Sequence, residues 1–213
     1  MRGKTKIYVL LVLLFAILIP SKQAEAAVAS QRLDGANRFE VAVNVSKTGW
    51  PNGVNTVILT NYLAFADALS ATPYAFKEDA PILLTHADKL TPESKVEIQR
   101  LNPSKIVIVG GAGSVSETVV QDLQAVGFRN IERIGGQDRF EVSYNLALKI
   151  GNISTAVVAN GLNFPDALSI APYAAKNGFP VLLVRNNELP GLIREAISQL
   201  NITNTIISGG RLA

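Results

Sequence analysis

The sequence predicts an α/β fold built twice: tandem three-layer α/β sandwich modules with mostly parallel sheets, the second module C-terminally truncated. Three observations predict it. First, the chain repeats itself. RLDGANRFEV at 32–41 returns as RIGGQDRFEV at 133–142, and FADALSATPYA at 65–75 returns as FPDALSIAPYA at 164–174. PILLT at 81–85 returns as PVLLV at 180–184, and KIVIVGG at 105–111 returns as NTIISGG at 204–210. The offset drops from 101 to 99, which places a two-residue deletion in the second copy opposite residues 50–55. A period of about 100 residues is the size of a small domain and too long for a solenoid unit. Second, the apolar runs are short, β-branched and continuous rather than alternating, as expected of strands covered on both faces. Third, the stretches between them carry apolar residues at helical spacing, and strands alternating with helices imply right-handed crossovers and a parallel sheet.

Taken in order, Phe39 and Val43 open a helix, and Val57-Ile58-Leu59 follows as a strand. The Ala-Leu-Ser segment after Asp67 starts a second helix, whose internal Pro73 removes one backbone bond. Ile82-Leu83-Leu84 is the next strand. Thr91-Pro92-Glu93 reads as an N-cap, a proline at the first helical position and an acidic first turn, ahead of Val96, Ile98 and Leu101. Residues 106–109 form a strand, and Val115, Val119, Leu123 and Val126 repeat at helical spacing up to Gly127. A strand at 130–134 runs directly into the second copy, with no linker between the copies. The second copy repeats this order through Gly209-Gly210, where one helix and one strand of the first copy have no counterpart. The expected division is 1–26 a secretory signal peptide, 30–131 repeat 1 and 132–213 an incomplete repeat 2.

The signal peptide rests on Arg2, Lys4 and Lys6, an unbroken apolar run at 7–19, Pro20, and a small-residue cleavage site at Ala24-Glu25-Ala26. The apolar run is too short for a typical spanning helix, so no transmembrane segment is expected after cleavage. Residues 1–26 carry a net +3, equal to the +3 of the whole chain, so the exported part is neutral. A surface that seeks nucleic acid is therefore not expected. With no cysteine and a single histidine, no disulfide, thiolate site or metal cluster can be assembled, and no cofactor is expected. No Ser–His–Asp set repeats, so the chain reads as noncatalytic.

Several matched residues carry chemistry. Asp67 and Asp166 follow a strand and an asparagine turn (Asn61, Asn160). Each reads either as a helix N-cap or as a ligand carboxylate at the C-terminal edge of the sheet. Arg38 and Arg139, and likewise Arg32 and Arg133, offer planar forks for phosphate, carboxylate or sugar, or else pair with Glu40 and Glu141 and cap carbonyls. The turn Gly110-Gly111-Ala112-Gly113-Ser114 approaches a dinucleotide fingerprint but has Ser116 where a third glycine belongs, and a serine-capped strand-to-helix turn explains it as well. His86, replaced by Arg185 in the second copy, reads as a solvated loop residue. The unpaired sheet edge expected in repeat 2 invites self-association.

Strung together, RLDGANRFEVA, FADALSATPYA, PILLT and KIVIVGG with their counterparts resemble the cell wall-binding repeat 2 family of secreted Gram-positive proteins, whose members often sit beside an N-acetylmuramoyl-L-alanine amidase. The resemblance implies noncovalent attachment to an anionic wall polymer, teichoic-acid-like or polysaccharide, by a secreted, wall-associated protein, and it associates the Ile-Leu-Leu region with polymer binding. Arg38, Arg139, Arg32, Arg133, Asp67 and Asp166 are the residues expected to contact it. Two other readings stand beside this one: a Rossmann-type nucleotide enzyme built on the glycine turn, and the anchoring fragment of an interrupted amidase.

Overall fold

The computed structural model describes residues 30–151 and 153–210. The expected signal peptide lies outside them. Apart from residues 30–32, the described residues of both repeats fall within one compact unit that begins at Leu33.

Repeat 1 runs α1 (Arg38–Gly49), β1 (Thr56–Asn61), α2 (Phe65–Lys77), β2 (Ile82–Thr85), α3 (Pro92–Leu101), β3 (Lys105–Val109), α4 (Glu117–Ala125) and β4 (Ile131–Ile134). Repeat 2 runs α5 (Arg139–Ile150), β5 (Thr155–Asn160), α6 (Phe164–Asn177), β6 (Val181–Val184), α7 (Gly191–Gln199) and β7 (Asn204–Ser208). The first sheet has the order β2-β1-β3-β4, the second β6-β5-β7, and every pairing is parallel. All six residues of β1 are buried, as its unbroken apolar pattern predicts.

The layers follow from the two-residue period of the strands. Val57, Leu59, Ile106 and Ile108 face one way and pack on Val43 of α1, Ile98 and Leu101 of α3, and Val119 and Leu123 of α4. Ile58, Val107, Val109 and Ile134 face the other way, on to Ala71, Tyr74 and Ala75 of α2. That second helical layer is completed by a helix of the other repeat: Val142, Leu146 and Ile150 of α5 belong to the same cluster. The opposite side of α5 serves its own repeat, with Phe140 and Ala147 packing on the second sheet beside Leu183 and Leu182. The exchange runs both ways, because Ala66 of α2 packs with Val157, Ala159 and Leu183 of repeat 2. Lys77 ties the two copies further, donating from Nζ to the carbonyls of Lys149 and Ile150 at 3.0 and 2.9 Å, where the C-terminal end of α5 attracts a cation.

β4 straddles the sequence boundary at 131/132 and, among the described residues, pairs with β3 alone, Ile106 opposite Ile131 and Val109 opposite Ile134. Glu132 on it binds Lys105 at 2.7 Å and Lys149 of α5 at 2.5 Å, which holds its carboxyl below the ordinary range.

A candidate binding cleft where the repeats meet

The opening motif of each repeat is a device for starting a helix. Asn37 and Asp138 are the N-caps, each accepting from the amides two and three residues on at 2.9 and 3.0 Å. Glu40 and Glu141 reach back to the amides of Ala36 and Gln137 at 2.7 and 2.6 Å, close to a capping box. Their carboxylates are thus engaged by backbone rather than by Arg38 and Arg139. Asn44 and Asn145 donate to the carbonyls of Asp34 and Gly135 at 2.6 and 2.7 Å, folding the approach segment along the helix. The glycine of the motif is required by that approach: a Cβ on Gly136 would lie 2.7 Å from the Val142 amide nitrogen.

This clamp fixes the first helical residue, an arginine, in both copies. Arg139 donates from Nη1 to the Gly161 carbonyl at 2.7 Å, and its guanidinium lies 5.5 Å from the centre of the Phe65 ring of repeat 1. Arg38 lies 5.1 Å from the Tyr62 ring of its own repeat and is exposed.

Asp67 lies across the junction from Arg139. The two line one cleft of about 310 Å³ with Phe65, Gly111, Gly113 and Gly136. Asp67 is not an N-cap. Helix α2 begins at Phe65 behind Ala64, which offers no side-chain cap, so Asp67 occupies the third helical position. Asp166 occupies the same position in α6, behind Asn163, whose side chain makes no capping bond either. An acidic residue suits the first turn of a helix at either place, because both meet the positive end of the macrodipole.

Asp67 is only 6 % exposed. Burial pushes its carboxyl up to about 6, against the lowering pull of the Arg139 charge and the Ser114 hydroxyl. Ser114 donates to its Oδ2 at 3.5 Å, the far limit of a hydrogen bond. The glycine turn is shaped for this junction: a Cβ on Gly111 would strike the Gly136 carbonyl oxygen of repeat 2. Repeat 2 therefore closes over the turn that a dinucleotide would use. Ser116 stands at the N-cap of α4 but makes no capping bond.

The other expected residues are dispersed. Arg133 donates to the Gly110 and Val115 carbonyls at 3.2 and 2.7 Å and to Glu117 at 2.7 Å, fastening β4 to the glycine turn. Arg32 lies in an exposed segment without regular structure. Asp166 lines a smaller cleft of about 180 Å³ with Asn160, Arg185, Asn186, Gly209 and Gly210. His86 is not a solvated loop residue: it is half-buried, with its ring 5.0 Å from both Phe39 and Tyr62. Arg185 takes the matched place in repeat 2, 4.5 Å from the Phe140 ring. In the Ile-Leu-Leu region, Leu83, Leu182 and Leu183 are fully buried core. Sequence reasoning passed over Phe65 and Phe164, whose rings meet across the junction at 5.7 Å; their matched places in the two copies were the available signal. Among the described residues, no group of three or more His, Cys, Asp or Glu could hold a metal ion, and no helix is long and apolar enough to cross a membrane.

Comparison with known proteins agrees with this duplicated architecture. The model of the family described as cell wall binding domain 2 matches residues 32–120 and again 133–213. N-acetylmuramoyl-L-alanine amidase LytC of Bacillus subtilis is 32 % identical over 210 residues, covering 99 % of this chain and 42 % of that protein. The amidase enhancer of the same organism is 43 % identical over 161 residues, 76 % of this chain and 22 % of its own length. The chain thus spans less than half of the curated relatives it matches. Among solved structures, Cwp6 from Clostridium difficile superposes with a TM-score of 0.78 at 34 % identity, over 87 % of this chain and 31 % of Cwp6. Cwp8 from the same organism gives 0.76 at 36 % identity, over 84 % and 30 % of the two chains.

Proposed function

Since the chain belongs to the cell wall binding domain 2 family, we propose that it is an exported, noncatalytic module that holds a protein to the wall by noncovalent binding of an anionic wall polymer, teichoic-acid-like or polysaccharide. What supports polymer binding is the junction cleft, where Asp67 of one repeat and Arg139 of the next line a single concave surface. The exposed Arg38 and Arg32 add cationic contacts along the polymer. Arg133 steadies the glycine turn through the Gly110 and Val115 carbonyls and pairs with Glu117, rather than lining the cleft itself. Asp166 marks a second, smaller contact. Weak contacts repeated along one polymer raise retention through effective concentration. Export rests on the pattern of residues 1–26.

The test is sedimentation of the chain with purified Bacillus subtilis walls, intact and after chemical removal of their phosphate-containing polymers. Retention on intact walls that falls on stripped walls is expected. Equal retention on both overturns the anionic-polymer part, and no retention on either overturns the wall reading.

A further inference from the structure

The junction cleft is lined by two carboxylates, Asp67 and the helix-capping Asp138, and one guanidinium, Arg139, and its hydrogen-bonding groups are of two kinds. On one side is the Asp67 carboxylate. Its Oδ2 meets only the distant Ser114 hydroxyl, and among the described residues no donor meets Oδ1. That oxygen is not sealed in the core, since among the described residues the fully buried side-chain atoms without partners are Thr60 Oγ1 and Ser116 Oγ. It therefore opens on to the cleft. On the other side are backbone donors. Ser114 and Val115 both donate to the Gly111 carbonyl, closing the turn, while the amides of Gly111 and Gly113 find no acceptor among the described residues. Arg139 adds a guanidinium already committed on one nitrogen to Gly161. Phe65, 38 % exposed, gives the cleft an apolar wall.

An acceptor, several donors and an aromatic edge around about 310 Å³ suit a small polyhydroxylated ring. They do not suit a phosphate, whose oxygens only accept and which would face the Asp67 carboxylate at close range. Resting on the wall-binding reading above, we propose that the junction cleft takes one uncharged, hydroxyl-rich glycosyl unit of the wall polymer, its hydroxyls donating to Asp67 and accepting from the Gly111 and Gly113 amides. The contact to the polymer's charge then falls to the exposed arginines outside the cleft.

The consequence is that the binding unit is the junction and not the repeat. Asp67 and Arg139 come from different copies, and the matched cleft at Asp166 is lined instead by Arg185 of its own repeat, which lies 3.6 Å from Glu188.

The experiment is amide NMR on the full chain titrated separately with glucose, galactose and N-acetylglucosamine, and with glycerol phosphate and inorganic phosphate at matched concentration. At least one neutral sugar is expected to move the Gly111, Gly113 and Gly136 amides, with little dependence on added salt. Asp67→Ala and Asp67→Asn should each weaken that sugar about tenfold or more, the scale of a hydrogen bond to a charged group, with melting curves confirming that both variants fold. Phosphates moving those amides when no sugar does, or sugars acting equally on both variants and the parent, or no sugar acting at all, each overturns the assignment. Wall sedimentation on the same samples separates the two claims. A chain that sediments with walls but ignores sugars loses only the cleft assignment; one that does not sediment loses the wall reading.

Discussion

Ile108 and Ile207 hold the same place in the two copies and lead opposite lives. Ile108 is sealed between β3 and the helices α3 and α4, whereas Ile207 on β7 is 75 % exposed. The same contrast appears at the start of each repeat. Leu146 of α5 is 1 % exposed because it faces the first sheet, while its counterpart Val45 of α1 is 44 % exposed. Near-identical local sequence therefore gives the same secondary structure in both copies, and burial is decided by which neighbour the copy meets. Apolar residues in the motif are matched for the junction, and only one junction is present among the described residues.

That contrast can be broken most strongly at Leu146. Leu146→Ala removes a side chain by which α5 covers the sheet of the other repeat, and a loss of about 2–5 kcal/mol is expected by denaturant unfolding. Val45→Ala, the matched change on the open face, should cost about 0.5 kcal/mol or less. Equal losses would show that α1 is covered as α5 is.

Asp67 gives the next effect, and its sign is fixed by the direction of its shift. The folded carboxyl titrates near 6, above the ordinary carboxylate value of 3.8. Its contribution to stability is therefore fully present below about 3.8 and is lost as pH rises through 6. Raising the pH from 4 to 7 should cost on the order of 2–3 kcal/mol through this group. Asp67→Asn should flatten that part of the profile, as read from melting temperature against pH. A parent and variant with parallel profiles would place the carboxylate in a more solvated setting than its burial indicates.

The caps give the smallest effect and sharpen the comparison by being alike. Asn37→Ala and Asp138→Ala each remove bonds to two helix-start amides and should each cost about 1 kcal/mol. A clear difference between them would mean that the helix starts are not equivalent, for instance because Asn37 also donates to Glu93 at 3.1 Å.

The elements were legible because each depends on local pattern: continuous apolar runs for β1 and β3, helical spacing and Gly127 for α4, and strict repetition for the rest. The site was legible only in its parts. The sequence could not choose between cap and ligand carboxylate for Asp67, because composition at a helix start does not distinguish the cap from the third position, and both favour an acid. Its relation to Arg139 could not be read at all. It depends on α5 crossing back over the first sheet, and that packing is a property of two distant segments. The histidine was misread for a similar reason: the stack of His86 on Phe39 and Tyr62 brings together three loop and helix-end residues from separate segments.

The sharing of α5 has a consequence for how such a chain lengthens. The frame in which the sequence duplicates and the frame in which the protein packs are out of phase by one helix. A copy added in tandem does not arrive as a finished bead; it first completes the structure of its predecessor and only then builds its own. Recombination at the sequence period thus keeps a helix in the place where α5 covers the preceding sheet. Excising one copy at its sequence boundary has the opposite result, since it strips the preceding sheet of Val142, Leu146 and Ile150.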